Sequence, residues 1–162
     1  MNILAIESSC DETAAAVVRD GRTVLSNCIA SQIEMHTIYG GVVPEIASRK
    51  HVEAVTGLAD QAVDQAGLTK RDLDAVAVTY APGLVGALVV GVAFAKGAAW
   101  GADIPFIVVN HLEGHLYANK IGLEDFAPPA VVSLVSGGNT LLVHMADWGD
   151  YRVLGATIDD AV

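Results

Sequence analysis

The 162-residue chain is 52% hydrophobic, 6% aromatic and 17% charged, and 19 acidic against 9 basic side chains leave it at −10. That length holds one good core, or one domain and part of another, and an apolar fraction made of Ala, Val, Ile and Leu suits the buried strands of an α/β protein. The acidity excludes a wide polyanion-gripping surface on this chain alone, so a nucleic-acid substrate needs basic surface from elsewhere.

Residues 2–6 lead straight into a strand without a basic lead or long apolar run, so no signal peptide is expected. Two cysteines, Cys10 and Cys28, are too few for a disulfide framework and point to a reduced, cytoplasmic protein. Residues 2–7 read as a strand, 7–12 as a polar turn and 13–19 as a second strand; Asp20-Gly21 is a hairpin signal, and 23–30 completes an antiparallel meander. His36 falls in a loop shaped by Gly40, Gly41 and Pro44. A helix follows over 45–65, its Val52, Val55, Leu58, Ala59, Ala62 and Val63 at helical spacing and Gly67 ending it; His51, beside Arg49 and Lys50, reads as facing solvent or a partner.

Residues 74–80 form a strand, Ala81-Pro82-Gly83 a turn and 84–100 a helix that is apolar all round. Its apolar run, 84–95, stops at Lys96 and is too short to span a bilayer, so a soluble protein is expected. Gly83, Ala87, Gly91 and Ala95 make a stripe of small residues on it, which suits close packing on the sheet and also a docked helix from a partner. The run 104–109 reads as a buried strand, and a helix continues to about Lys120. This β-β-β-α-β-α-β-α order is that of a ribonuclease H-like unit.

After Pro128-Pro129 the pattern restarts, with strands at 130–135, 140–145 and 151–156 and a Ser136-Gly137-Gly138-Asn139 turn; His144 reads as structural. Such duplication marks the actin, Hsp70 and sugar-kinase superfold. The expected organisation is therefore α/β: a first ribonuclease H-like lobe over 1–127 and, over 128–162, the opening β-meander of a second, truncated lobe. A bare three-stranded sheet is poorly stable and its open edge invites pairing, so an oligomer is expected.

The chemistry concentrates in Asn110-His111-Leu112-Glu113-Gly114-His115. Histidines four apart share a helix face and can close on one metal ion, and this pair enters its helix at the carboxyl end of a strand, where open α/β sheets place ligands. A zincin protease needs glutamate directly after the first histidine; here that place holds Leu112, and Glu113 lies about 100° further round. Two histidines also leave a catalytic metal short of a third ligand. The Ser136–Asn139 turn lets backbone N–H groups approach an anion, and Ser8 and Ser9 with Asp11 and Glu12 occupy the equivalent turn of the first copy. Across a two-lobed cleft these turns would hold a nucleotide's phosphates. Asp11 and Glu12 repel phosphate directly and so act through a cation, or bind a sugar or amine.

Residues 5–13, the stretch Gly40-Gly41-Val42-Val43-Pro44-Glu45 with Ala47, Ser48, Arg49 and His51, and Ala81-Pro82-Gly83-Leu84 resemble the TsaD family of tRNA adenosine threonylcarbamoyltransferases, once labelled glycoproteases. His111-Leu112-Glu113-Gly114-His115 and Val135-Ser136-Gly137-Gly138-Asn139-Thr140 complete the resemblance, in order along the whole chain. It implies transfer of a threonylcarbamoyl group from threonylcarbamoyl-AMP to N6 of the adenine 3′ of the anticodon, in tRNAs reading ANN codons. It implies His111 and His115 as two of three protein ligands to iron or zinc, the third being an aspartate. Ser9, Val135, Ser136, Gly137, Gly138 and Asn139 would hold the nucleotide, and Asp11 and Glu12 would be catalytic residues lining the cleft. The implied partners are a TsaB-like paralogue docked on helices 45–66 and 84–100, a small TsaE-like ATPase and tRNA, with no membrane. Family members run to roughly twice this length, so this chain alone is expected to be inactive. A noncatalytic partner-binding fragment is the alternative, and a metallo-glycoprotease is disfavoured by Leu112.

Overall fold

The computed structural model describes every residue except Glu124, Gly137, Gly138 and 159–162. The chain divides into two compact units, Met1–Leu112 and Glu113–Val162. In the first, β1 (Asn2–Glu7), β2 (Glu12–Arg19) and β3 (Thr23–Ser31) pair as the expected antiparallel meander. Asp20 and Gly21 both take positive φ, 54° and 70°, the geometry of the tight hairpin turn that their sequence signals.

The meander leads into α1 (Ile33–Thr37), a five-residue helix where the sequence reads as loop. Its His36 is buried, with Nε2 3.1 Å from Gln32 Oε1 and Nδ1 accepting from the Val43 N–H at 3.3 Å. Next, α2 (Pro44–Gln65) has proline in its first turn, where a missing N–H costs nothing. It stops where Gly67, at φ 68°, donates to Asp64 O and Leu68 donates to Val63 O. Two strands then extend the sheet parallel to β1, β4 (Ala75–Ala81) and β5 (Phe106–Asn110), with α3 (Val85–Ala102) between them. The order β3-β2-β1-β4-β5 is ribonuclease H-like. Both long helices pack with the sheet around one core, which includes Leu4, Ile6, Val17, Val55, Val76 and Ala95.

Three sequence expectations are corrected here. Of the two readings of the small stripe, packing on the sheet holds and a helix docked on it does not: Ala87 and Ala95 are fully buried, and a Cβ on Gly91 would collide with Ser8 Oγ. The exposed apolar side of α3 is instead carried by Val85, Val89 and Trp100, 77%, 59% and 87% exposed. Secondly, α3 runs two residues past the expected end at 100, to Ala102, and by length and composition alone it is long enough to cross a membrane, where the apolar run 84–95 read as too short; a core helix passes the same test. Thirdly, β5 is not enclosed, because it stands at the sheet edge with Ile107 and Val108 39% and 52% exposed.

Between the two units' elements in sequence runs α4 (His111–Gly122). In the second unit, β6 (Ala130–Ser136), β7 (Asn139–Asp147) and β8 (Asp150–Ala156) form an antiparallel sheet in that order. This meander is not bare: Tyr117 stacks on Trp148 at 4.7 Å, Phe126 meets its edge at 5.9 Å, and the Lys120 ammonium lies 4.8 Å over its ring.

The two environments on α3 separate sharply by substitution. Gly91→Ala is expected to cost about 1–3 kcal/mol by driving a methyl into Ser8. Gly97→Ala, where a Cβ meets nothing within 4 Å, is expected to gain roughly 0.5–1 kcal/mol from helix propensity. Urea denaturation of the two variants beside the parent checks both signs.

Candidate functional site

Three parallel neighbours, β1, β4 and β5, end on the same edge of the first sheet. Open α/β sheets hold ligands beyond such carboxyl ends. Glu7 closes β1, Thr79 lies near the end of β4, and His111 follows β5 directly as the first residue of α4. The helix starts there because Asn110 Oδ1 accepts the Leu112 N–H at 2.9 Å, an N-cap bond.

These side chains meet. One Glu7 oxygen accepts the Ser9 N–H at 2.5 Å; the other accepts the Thr79 hydroxyl at 2.5 Å and lies 3.3 Å from His111 Nδ1. Ser9 Oγ is also 3.3 Å from that nitrogen. Burial works to raise the Glu7 carboxyl, but the hydrogen bonds from Ser9, Thr79 and His111 outweigh it and hold the group below its ordinary value, so it is a carboxylate. The turn beneath is pinned to α3: Ser8 Oγ donates to Ala87 O at 2.9 Å, and the Leu84 N–H donates to Ser9 O at 2.7 Å. Both serines are buried, and only a glycine at 83 allows its backbone so near Ser9.

Asp11 is half-buried and Glu12 exposed at the start of β2, where it pairs with Ser31. The residues flanking them, Cys10 and Thr13, are both held by His51. That residue is fully buried, not turned to solvent or a partner as its basic neighbours suggest. Its Nε2 lies 2.9 Å from Cys10 O, which can only accept, so Nε2–H donates and Nδ1 accepts the Thr13 hydroxyl at 2.7 Å. Partial burial pushes the Cys10 thiol up, and the adjoining Asp11 and Glu7 carboxylates push it further.

Of the residues chosen from sequence, Ser9 and His111 are brought together. His115 is exposed on α4, four residues beyond His111. Among the described residues no cluster of three or more His, Cys, Asp or Glu offers a complete metal site. In the second unit, Val135 is exposed, and Ser136 and Asn139 pair where β6 passes to β7. Gly137 and Gly138 lie outside the described residues. Sequence reasoning missed Glu7, Thr79 and His51 as site residues. The one available signal was Thr79, a polar residue within an otherwise apolar strand.

Two measurements follow from this geometry. His51→Ala strands the Cys10 carbonyl and the Thr13 hydroxyl, and is expected to cost about 3 kcal/mol in urea denaturation. Iodoacetamide is expected to label the exposed Cys10 sluggishly at neutral pH, because a raised pKa leaves little thiolate; Asp11→Asn is expected to speed labelling.

The family model for TsaD, tRNA N6-adenosine threonylcarbamoyltransferase, matches residues 23–162. A tRNA N6-adenosine threonylcarbamoyltransferase of Clostridium perfringens is 60% identical over 159 residues, covering 98% of this chain and 47% of that protein. The chain thus spans about half the length of the curated relatives it matches. Among solved structures, YeaZ from Pseudomonas aeruginosa superposes with a TM-score of 0.59 at 18% identity, over 98% of this chain and 67% of its own. A ROK hexokinase from Thermus thermophilus gives 0.57 at 17%, over 95% and 48%. At such identities these structures bear on fold alone, and they agree with the ribonuclease H-like strand order of the first sheet.

Proposed function

The chain belongs to the TsaD family of tRNA N6-adenosine threonylcarbamoyltransferases, and from that premise we propose that it serves tRNA threonylcarbamoyladenosine formation. The reaction proposed is transfer of the threonylcarbamoyl group of threonylcarbamoyl-AMP to N6 of the adenine 3′ of the anticodon in tRNAs reading ANN codons. The observation that carries this is the joining of Glu7, Ser9, Thr79 and His111 at one sheet edge, in a chain 60% identical to a protein of that name.

His111 and His115 are proposed to hold one iron or zinc ion, their shared helix giving the spacing. The donor set fits such an ion as two nitrogens of an incomplete site, so further ligands come from outside the described residues. Bound there, the metal supplies Lewis acidity toward a carbonyl oxygen. Asp11 and Glu12 are proposed as catalytic residues, and Ser9 and, in the second unit, residues 135–139 as nucleotide-binding ones.

For partners we propose a TsaB-like paralogue on α2 and α3, a TsaE-like ATPase and tRNA, in the cytoplasm. Exposed Val52, Val85, Val89 and Trp100 on the two helices support a docking face, as does a cavity of about 690 Å³ lined by Val63, Phe94 and Ile104. The charge of −10 supports tRNA being gripped by surface from elsewhere in the complex. Given the half-length match, the chain by itself is expected to bind metal weakly and to show no transfer.

Zinc titration of the purified chain beside a His111→Ala/His115→Ala double variant tests the reading. Weak, saturable binding of about one ion per chain, lost in the variant, supports it. Equal emptiness of both leaves a partner-docking unit, and transfer by the chain alone would overturn the expectation of inactivity.

A further inference from the structure

We infer that Glu7 is a positioning residue for His111, taking a hydrogen bond from Nδ1–H and thereby fixing the tautomer that carries the lone pair on Nε2. The inference rests on the proposed metal role of His111 and deepens it, because the nitrogen so selected is the one offered to the ion.

The argument is one of donors and acceptors. The Glu7 carboxylate can only accept, and its two oxygens already take the Ser9 N–H and the Thr79 hydroxyl. An unprotonated Nδ1 at 3.3 Å from the same oxygen would set lone pair against lone pair, next to a negative charge. Protonated, Nδ1 donates to it. Ser9 Oγ, also at 3.3 Å, does not decide the tautomer, because a hydroxyl serves either as donor or as acceptor. Nδ1–H is therefore the state in which both contacts attract. The three carriers of this arrangement sit at the ends of adjacent parallel strands, so sheet register fixes their spacing. Carboxylates behind metal-bound histidines act in this way generally, and their loss typically weakens metal binding about 10–100-fold.

Glu7→Gln is the diagnostic variant. Its amide oxygen still accepts from Ser9, while its NH2 faces Thr79 and His111 and asks Nδ1 to accept. The experiment is 15N NMR of the metal-free chain labelled at histidine, held at about pH 8, above the ordinary imidazole range of about 6.5. The His111 signal is identified by its loss in His111→Ala. Zinc titration by calorimetry runs in parallel. The expected result is Nδ1–H in the parent and in Ser9→Ala, and Nε2–H in Glu7→Gln with zinc affinity about 10–100-fold lower. An Nε2–H parent spectrum overturns the inference without recourse to any variant, so misfolding of Glu7→Gln cannot shield it. Retention of Nδ1–H in a folded Glu7→Gln, or its loss in Ser9→Ala, also overturns it. Parent Nδ1–H with no zinc binding upholds the Glu7 contact and defeats the metal reading instead.

Discussion

The arrangement at the sheet edge depends on how closely α3 lies against the turn after β1. Ser8 and Ser9 are almost wholly buried, and a buried hydroxyl or amide without a partner costs about 1–3 kcal/mol. The helix supplies the partners: Ala87 O takes the Ser8 hydroxyl, and the Leu84 N–H is given to Ser9 O. That exchange requires close approach, which Gly83 just before α3 and Ala87 and Gly91 on its inward face allow. Once the turn is fixed, Ser9 N–H has one place to point, and the Glu7 carboxylate is held there. Thr79 and His111 then meet Glu7 because their strands are in register with β1. Fold and site share a single contact.

Most of the fold was legible because its signals are local. Asp20-Gly21 demands positive φ, Pro44 and Gly67 bracket α2, and the strands of both meanders alternate or run apolar over enough residues to be read. The five residues of α1 are too few to display a period. What failed was burial, which depends on what the rest of the chain brings. The apolar run of β5 is half exposed because it lies at an edge, and His51 is enclosed because Cys10 and Thr13 come to it from a distant strand end. The small stripe was visible as a stripe; which neighbour it admits was not.

The same distinction governs the site. His111 was found because a pair of histidines four apart is rare and chemically specific. Glu7 was passed over because a glutamate at the end of a strand looks like any solvated turn residue, and only long-range contacts with Thr79 and His111 give it a function. Sequence singled out His111; structure adds the groups that touch it, Glu7 and Ser9.

Charge constrains what this edge can receive. Glu7, Asp11 and Glu12 lie close along the chain, and the Cys10 thiol among them is pushed up by burial and then by the Asp11 and Glu7 charges, a local sign of negative potential. Two like charges at 4 Å oppose one another by about 4 kcal/mol at an effective dielectric near 20. The polar groups of the turn offer little relief: Ser9 N–H is given to Glu7, and Ser8 Oγ to α3. A phosphate approaching this turn therefore meets carboxylates before it meets donors. That charge favours a cation or a neutral donor over an anion beside the turn. His111, 3.3 Å from the Glu7 carboxylate through Nδ1, is the imidazole that meets this turn.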